Sequence, residues 1–419
     1  MKNRHPILLI LVSALGYFVD AFDLLIFSVV RRASLSDLGV ADADSLSVGL
    51  SLLNWQMAGL LAGGIVLGML GDRRGRLSVL FASILLYSVA NIANGFVHDL
   101  ATYRALRLMA GFGLAGELGA GITLVTEAMP ARTRGFGTMI VATAGLLGAA
   151  TAAFVGTRLP WRTAFIAGGV MGLILLVSRS RVAESVLYRR VAATAVPRGR
   201  FISLFTSGPR LKRYLLCIGA GVPNYFVVGL LVTGAPEFGT LLGLNTAPVA
   251  GTAILICYLS MSAGDVACSL LSQRLRSRRL PLILFNGICL TGILLYLLVP
   301  SRTLAGFYGR CALMGFGCGF WALVVTNAAE QFGTELRATV AITVPNFLRA
   351  ALIPITFGYD ALMPGAGAIG AAAIVGSGCA ILAMLSAWLS TETFGTDLDF
   401  TEASRAPVPR GSPASSTGP

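Results

Sequence analysis

Apolar runs of about twenty residues follow one another along almost the whole chain, from residues 7–30 to residues 366–390. A run of this length crosses about 30 Å of membrane hydrocarbon as one α-helix. Hydrophobic residues make up 55% of the 419 residues and charged residues only 12%, so lipid is the expected solvent for most of the surface. The sequence therefore predicts an all-α integral membrane protein that crosses the bilayer many times.

Twelve runs have the length of a transmembrane span, and they are numbered here in chain order. Span 1 is too long for a secretory signal peptide and lacks a convincing cleavage site, so we expect it to be retained. The other spans are expected near residues 49–70, 78–97, 102–127, 135–157, 162–179, 214–235, 248–272, 280–299, 304–328, 338–359 and 366–390.

The basic residues indicate how the spans are oriented. Loops 2–3, 4–5, 6–7 and 8–9 contain arginine, whereas loops 7–8 and 11–12 contain neither lysine nor arginine. Basic loops stay in the cytoplasm, so both termini are expected there. The net charge of +13 is spread over these loops and forms no basic face or tail, so nucleic acid is not an expected partner.

The chain divides into two halves that resemble each other. Residues 1–180 and 214–390 each hold six spans, the polar segment 181–213 is predicted to link them, and residues 391–419 are predicted to be a disordered cytoplasmic tail. A shift of 203 residues places charges of the first half on like charges of the second, which supports an internal repeat. The matched pairs are Arg107 with Arg310, Glu127 with Glu330, Arg134 with Arg337, Arg73 with Arg276, and Arg76 with Arg279.

Patterns typical of catalytic and metal sites are missing from the sequence. The seven cysteines lie in apolar segments without a Cys-x-x-Cys pair, and His5 and His98 are the only histidines. No serine lies in a nucleophile motif. We therefore expect no metal, no cofactor and no enzyme activity.

Two acids in span 1 are the first candidates for function. Asp20 and Asp23 are three residues apart and lie on one face of the helix. An ionised acid inside a bilayer is costly and is often a proton site, and two close carboxylates are difficult to ionise together. We interpret Asp23 as the proton-coupling residue and Asp20 as the second candidate. The alternative is that one of them caps a helix or pairs with a buried arginine.

Span 4 adds Arg107 and Glu117 to the proton-coupling candidates. An arginine within a span can pair with an acid of span 1 or hold a substrate carboxylate by two parallel hydrogen bonds. Glu117 is either a second proton or substrate group or an ion-pair partner. Glycines at positions 113, 116 and 119 are predicted to let neighbouring helices approach closely.

The second half supplies the candidates for substrate contact. Asn346 and Arg349 follow a proline in span 11, and a buried arginine at a bent helix can hold an anion. Asn224 and Tyr225 follow a proline in span 7 in the same way. If Arg349 binds a carboxylate while Asp23 carries a proton, symport of a small organic anion or amino acid follows.

Two further residues of the second half have open interpretations. Trp321 in span 10 either stacks on a substrate or packs in the core. Asp265 in span 8 is either a second proton site or part of an ion pair with the basic loop that follows.

Loop 2–3 carries a motif that resembles a known family. Residues 68–76 read Gly-Met-Leu-Gly-Asp-Arg-Arg-Gly-Arg, and this G-x-x-x-D-R-x-G-R spacing resembles the loop 2–3 signature of the major facilitator superfamily of secondary transporters. The Arg107-x-x-x-Gly-x-Gly pattern of span 4 resembles another motif of that superfamily, in which the arginine is linked to proton transfer. The resemblance implies two six-helix bundles related by an axis along the membrane normal, with the substrate between them.

The same resemblance implies gating roles at the cytoplasmic ends of the spans. We interpret Asp72, Arg73 and Arg76 as gating residues of loop 2–3. Glu127 is expected to pair with arginines of loop 2–3 or loop 4–5, where Arg134 lies. In the second half, Glu330 is expected to pair with Arg337.

Several short stretches are similar to the metabolite:proton symporter and sugar-porter branch of the superfamily. Ala183, Val186 and Thr391 replace prolines of the sugar-porter signatures, and span 5 lacks the glycine-proline motif of drug:proton antiporters. The stretches that carry the similarity are residues 127–135, 161–165, 182–185 and 391–395.

Together these features predict a secondary active transporter of a bacterial inner membrane. The expected activity is proton-coupled uptake of a small polar metabolite by alternating access, carried out by a monomer in the lipid bilayer. The alternative is a facilitator or a proton-coupled exporter, and a membrane enzyme or receptor has no support in the sequence.

Overall fold

The computed structural model describes residues 5–74, 76–116, 134–182 and 201–395, together with residue 402. Within these ranges all regular structure is helical and no β-strand is present. The predicted all-α fold is therefore confirmed.

The helices match the predicted spans closely. Short 3-10 helices lie at Asp42–Asp44 and Phe201–Leu204, and a π-helix at Val227–Val232. The α-helices are His5–Asp37, Ser45–Arg74, Arg76–Asn94, Leu100–Leu114, Arg134–Arg158, Trp161–Val182, Gly208–Gly219, Val222–Phe226, Ala235–Leu241, Ala250–Leu275, Arg279–Leu298, Leu304–Gly317, Trp321–Glu330, Thr334–Ala350 and Leu352–Leu389.

Seven stretches among the described residues are long and apolar enough to cross a membrane, and an eighth forms if the bent pair in span 7 counts as one span. One of the seven, Thr339–Leu389, contains both span 11 and span 12. The helix Leu352–Leu389 is interrupted at Gly367, near the start of span 12, where a φ of 68° lies in the left-handed region that favours glycine. The chain is thus a multi-pass membrane protein.

Three spans are broken where function was expected. In span 7 the helix axes on either side of Ala220 and Gly221 differ by 42°. Span 10 is interrupted between Gly317 and Trp321, and span 11 at Ala351. Breaks in membrane helices are tolerated where neighbouring groups satisfy the freed backbone, which favours a polar interior at these points.

The two halves pack by the same scheme. Spans 1, 2 and 3 pack on spans 5, 4 and 6, and spans 7, 8 and 9 pack on spans 11, 10 and 12. Close contact needs small residues: a Cβ at Gly148 of span 5 would overlap the carbonyl of Phe18 in span 1. The bundles meet mainly where span 2 contacts span 11 and span 5 contacts span 8. This is the pseudo-symmetric pair of six-helix bundles that the sequence predicts.

Glu402, in the tail 391–419, contacts the second bundle. It is buried, accepts a hydrogen bond from the backbone N–H of Gly333 at 2.9 Å, and pairs with Arg213 at 2.6 Å and Arg210 at 3.4 Å. Its carboxylate is therefore held by two arginines of the helix Gly208–Gly219 and by the N-terminus of the helix Thr334–Ala350.

Candidate functional site

A buried ion pair joins the two bundles about midway along their spans. Nη2 of Arg349 in span 11 lies 3.0 Å from Oδ2 of Asp20 in span 1. Nε of the same arginine donates a hydrogen bond to the hydroxyl of Tyr225 at 3.2 Å. Asp20 is fully buried and Arg349 is 2% exposed. The structure therefore brings together three predicted site residues and makes Asp20 the counter-ion of Arg349.

The hydrogen-bonding capacity of this central pair is not fully used by the described residues. Oδ1 of Asp20 and Nη1 of Arg349 are buried and have no hydrogen-bond partner among the described residues. The Trp321 ring packs edge-on against Tyr225, with centroids 6.1 Å apart. One acceptor and one donor thus remain unused next to the rings of Tyr225 and Trp321, which we call the aromatic wall. This arrangement suits a small molecule with both polar and apolar parts.

Tyr17 and Tyr258 also surround the pair, and sequence reasoning missed both. Each lies within electrostatic range of Arg349. Tyr17 could have been found, because it lies three residues before Asp20 and shares its helix face. Tyr258 had no such signal, because its place depends on how span 8 packs.

Asn224 lies beside the break in span 10. Its Nδ2 donates to the carbonyl of Cys318 at 3.4 Å and faces the sulfur of Met261 at 3.8 Å. Cys318 caps the first helix of span 10, and its carbonyl also accepts a hydrogen bond from the backbone N–H of Phe320 at 2.9 Å. Asn224 therefore adds a side-chain donor at the break in span 10, next to the aromatic wall.

Asp23 points into the first bundle, away from Arg349. It is fully buried, and neither carboxylate oxygen has a hydrogen bond of normal geometry to the described residues. Arg107 and Asn91 are its electrostatic partners. Arg107 donates to Oδ1 of Asn91 at 3.0 Å and lies 5.0 Å from the ring centroid of Phe165. The two acids of span 1 thus have different arginine partners.

Gln56 completes the group around Arg107, and sequence reasoning did not name it or Asn91. Its Oε1 lies 3.5 Å from Nη1 of Arg107. Both amides are fully buried in otherwise apolar spans. A polar residue in the middle of a span is a signal that could have identified them.

Asn346 does not join the Arg349 group through any contact of the described residues. Its Nδ2 donates to the carbonyl of Ala115 in span 4 at 3.4 Å, and Gly64 of span 2 lies beside it. Asn346 thus links the two bundles. Its Oδ1 is buried and has no hydrogen-bond partner in the part of the chain that the structure describes.

Asp265 interacts with a helix terminus and not with the basic loop. Its Oδ1 accepts a hydrogen bond from the backbone N–H of Ala322 at 3.0 Å. The second helix of span 10 begins at Trp321, and its own N-cap position makes no side-chain hydrogen bond. A carboxylate favours this position because the free N–H groups and the helix dipole are positive there.

The expected Glu330–Arg337 pair is wrong. Glu330 pairs with Arg278 of loop 8–9, at 2.8 Å to Nη2 and 3.1 Å to Nε. Nε of Arg337 donates instead to the carbonyl of Ala329 at 3.2 Å. The reason is that loop 8–9 packs against the end of span 10 and presents two of the three guanidinium nitrogens of Arg278 to Glu330.

Glu392 holds the same loop from the other side. It accepts hydrogen bonds from the backbone N–H of Arg278 at 2.8 Å, from that of Arg279 and from the hydroxyl of Ser277. Thr393 donates to Glu330 at 2.8 Å. The segment after span 12 thus ties loop 8–9 to span 10 within one bundle.

Part of the predicted site lies outside what the structure describes. This applies to residues Glu117 and Glu127, and to the side chains of Asp72, Arg73, Arg76 and Arg134.

Arg310, the repeat partner of Arg107, donates to the carbonyls of Val299 and Pro300. It does not share the buried setting of Arg107, so the repeat preserves the charge but not its environment.

Comparison with known proteins agrees with this architecture. The chain is 31% identical over 364 residues to a metabolite transport protein of Haemophilus influenzae, covering 81% of this chain and 84% of that protein. It is 28% identical over 322 residues to the 3-(3-hydroxy-phenyl)propionate transporter of Escherichia coli, covering 74% and 77% of the two chains. The crystal structure of a D-xylose-proton symporter shares the fold with a TM-score of 0.69 at 15% identity, over 93% of this chain and 99% of that one.

The chain also matches the sequence model of a protein family. The model of the Major Facilitator Superfamily matches residues 13–351, which includes the central pair and all but the last span and a half. The named relatives are transport proteins and not enzymes. This chain therefore belongs to the major facilitator superfamily of membrane transporters.

Proposed function

We propose that the protein takes up a small organic anion together with a proton by alternating access. The observation that carries the proposal is the buried contact between Asp20 and Arg349. The pair connects the two bundles at the level where the substrate of such a transporter is expected to bind.

The coupling follows from the charges at this pair. When a substrate carboxylate takes the place of Asp20 on Arg349, an ionised Asp20 would be left buried without a partner, which is costly. A proton on Asp20 removes that cost. One proton and one monovalent anion then enter a site that keeps the same net charge, and the bundles can close over it.

The contacts make Asp20, and not Asp23, our first candidate for the proton site. We propose that proton binding and substrate binding are coupled at Asp20, because its carboxylate is paired with Arg349. Asp23 remains a proposed second proton site next to Arg107, because its carboxylate has no hydrogen bond of normal geometry to the residues that the structure describes.

The relatives support an organic acid as the substrate. One of them is named for a propionate that carries a hydroxyphenyl group. Here Arg349 can hold a carboxylate and the Tyr225–Trp321 pair can contact a ring. We therefore propose a small monocarboxylate with a planar or aromatic part.

The proposal includes the remaining expectations from the sequence. The protein is placed in a bacterial inner membrane as a monomer, with both termini, the linker 181–213 and the gating residues of loop 2–3 on the cytoplasmic side. Glu330 and Arg278 are proposed to gate the second bundle on that side.

The test is uptake by purified protein in liposomes with an inward proton gradient. Radiolabelled aromatic and aliphatic carboxylates, amino acids, sugars and nucleosides are compared while the internal pH is recorded. We expect acidification that depends on a carboxylate substrate. Substrate movement without proton movement would instead identify a facilitator, and proton-driven expulsion an exporter.

The matched variants are Asp20→Asn and Asp360→Asn. Asp360 directly follows span 11 and is exposed. Loss of coupling is expected only for Asp20→Asn, and equal loss in both would contradict the proposed role of Asp20.

A further inference from the structure

A second ion pair crosses the boundary between the bundles, at the end of the spans that carries loops 1–2 and 7–8. Arg31 lies near the end of span 1, and Glu237 lies in the helix Ala235–Leu241 that follows span 7. Nη2 of Arg31 lies 2.7 Å from each carboxylate oxygen of Glu237. We call this end of the protein the far face and this pair the far-face clamp.

Arg31 is bonded to both bundles at once. Its Nη1 donates to the carbonyl of Ser45 at 2.7 Å, at the start of span 2 in its own half. Its Nη2 also reaches the carbonyl of Thr233 at 3.3 Å, in the other half. The arginine is therefore the shared element between the start of span 2 and the end of span 7.

The packing around Arg31 leaves space for its side chain and shields it from solvent. Gly49 of span 2 lies against the Arg31 side chain, and a Cβ there would overlap its aliphatic stem. Arg31 is 1% exposed, and the Glu237 side chain is 15% exposed. A second arginine, Arg32, lies 3.9 Å from Glu237 but is 44% exposed and also pairs with Asp42. Arg31 is thus the buried member of the clamp.

We propose that the far-face clamp is a gate that holds the far face closed and must separate for that face to open. Buried charges that lose a partner are costly, but separation of the two bundles admits water to both ions. The pair therefore stabilises the closed far face without preventing its opening. A change that weakens the pair only in the closed state shifts the population toward the open state.

Removal of the negative charge gives the sharpest test. In Glu237→Gln the closed state keeps a buried cation without its counter-ion, whereas in the open state water solvates Arg31. We expect the ratio of open to closed far face to rise about tenfold or more, within the range of measured coupling between sites. Glu237→Asp keeps the charge on a shorter side chain and should give a smaller rise.

Asp37 and Arg162 provide a matched control on the same face. Their ion pair, at 3.0 Å, joins spans 1 and 6 of a single bundle and does not cross the boundary. Asp37→Asn therefore removes an ion pair of the far face without affecting the contact between the bundles.

The measurement is a distance across the far face by pulsed EPR in lipid nanodiscs. Nitroxides are attached at Ala43→Cys in loop 1–2 and Leu241→Cys after span 7, both exposed positions. The seven native cysteines are buried, and labelling of the protein without the two new cysteines checks that they stay unlabelled. No substrate or proton gradient is applied, so the result does not depend on proton coupling.

We expect a longer distance to gain population in Glu237→Gln and not in Asp37→Asn. A Glu237→Gln distribution identical to that of the parent, or an equal shift in Asp37→Asn, would overturn the proposal. If Glu237→Gln does not fold, Glu237→Asp serves in its place, because it retains a charge opposite Arg31.

Discussion

Oδ2 of Asp20 lies 3.0 Å from Nη2 of Arg349, and this contact connects span 1 of one bundle with span 11 of the other. Both side chains are buried, and each keeps one polar atom that forms no hydrogen bond with the described residues. The proposed mechanism depends on this pair, because a substrate carboxylate and Asp20 would compete for one guanidinium.

Asp20→Asn should abolish uphill accumulation driven by a proton gradient while sparing exchange of labelled for unlabelled substrate. An amide cannot carry the proton, but it still allows the bundles to close without a buried negative charge. Uptake and counterflow in the same liposome preparation measure the two activities. Accumulation at the parent level would show that the proton is carried elsewhere.

Arg349→Lys should raise the substrate Kd at least about tenfold, which corresponds to about 1.4 kcal/mol. Lysine keeps the charge but cannot hold a carboxylate by two parallel bonds while donating to Tyr225. Equilibrium binding in detergent gives the Kd. The control is Arg310→Lys, whose arginine donates only to backbone carbonyls at a helix end; a similar loss there would point to a general effect of the substitution.

Asp23→Asn should change the pH dependence of uptake more than substrate affinity. Asp23 interacts with Arg107 and Asn91 inside the first bundle, whereas in the described part of the chain the ion-pair partner of Arg349 is Asp20. Initial uptake rates at a series of external pH values, together with Kd, separate the two effects. A tenfold loss of affinity with an unchanged pH profile would assign Asp23 to substrate binding instead.

Gly148→Ala should destabilise the first bundle by about 1–3 kcal/mol, because the new methyl group would force spans 1 and 5 apart. Its position would overlap the carbonyl of Phe18. Thermal unfolding in detergent measures the effect. Gly287→Ala in span 9 is the control, since a Cβ there meets nothing within 4 Å, and a comparable drop in its Tm would refute the packing argument.

Glu392→Gln should lower the Tm near neutral pH and lose this effect in acid. Burial alone would raise the pKa of Glu392, but hydrogen bonds from Ser277, Arg278, Phe394 and Arg279 lower it below the ordinary value of 4.5. A lowered pKa means that the carboxylate stabilises the folded state above pH 4.5 and loses this contribution as the pH falls through the folded-state pKa.

The difference in Tm between parent and Glu392→Gln should therefore be largest above pH 4.5 and shrink below it. Asp44→Asn, at an exposed position of loop 1–2, controls for loss of a surface charge. A difference that grows in acid would contradict the proposed hydrogen-bonding role of Glu392.

The sequence alone determined the fold class and the approximate position of the spans. The length of each apolar run specifies one crossing of the bilayer, and this constraint acts locally on each run. It also identified Asp20, Asp23, Arg107 and Arg349 as unusual, because a charge inside a span is costly wherever it lies.

Only the tertiary structure decided which charges meet. Asp20 pairs with Arg349 while Asp23, three residues later, faces Arg107. Glu330 meets Arg278 and not Arg337, and Arg31 meets Glu237 across the two halves. Such pairs depend on how each helix is rotated and on which loop folds beneath it. In spans that are apolar on nearly all sides, periodicity does not specify that rotation, so only the packing of the bundles determines it.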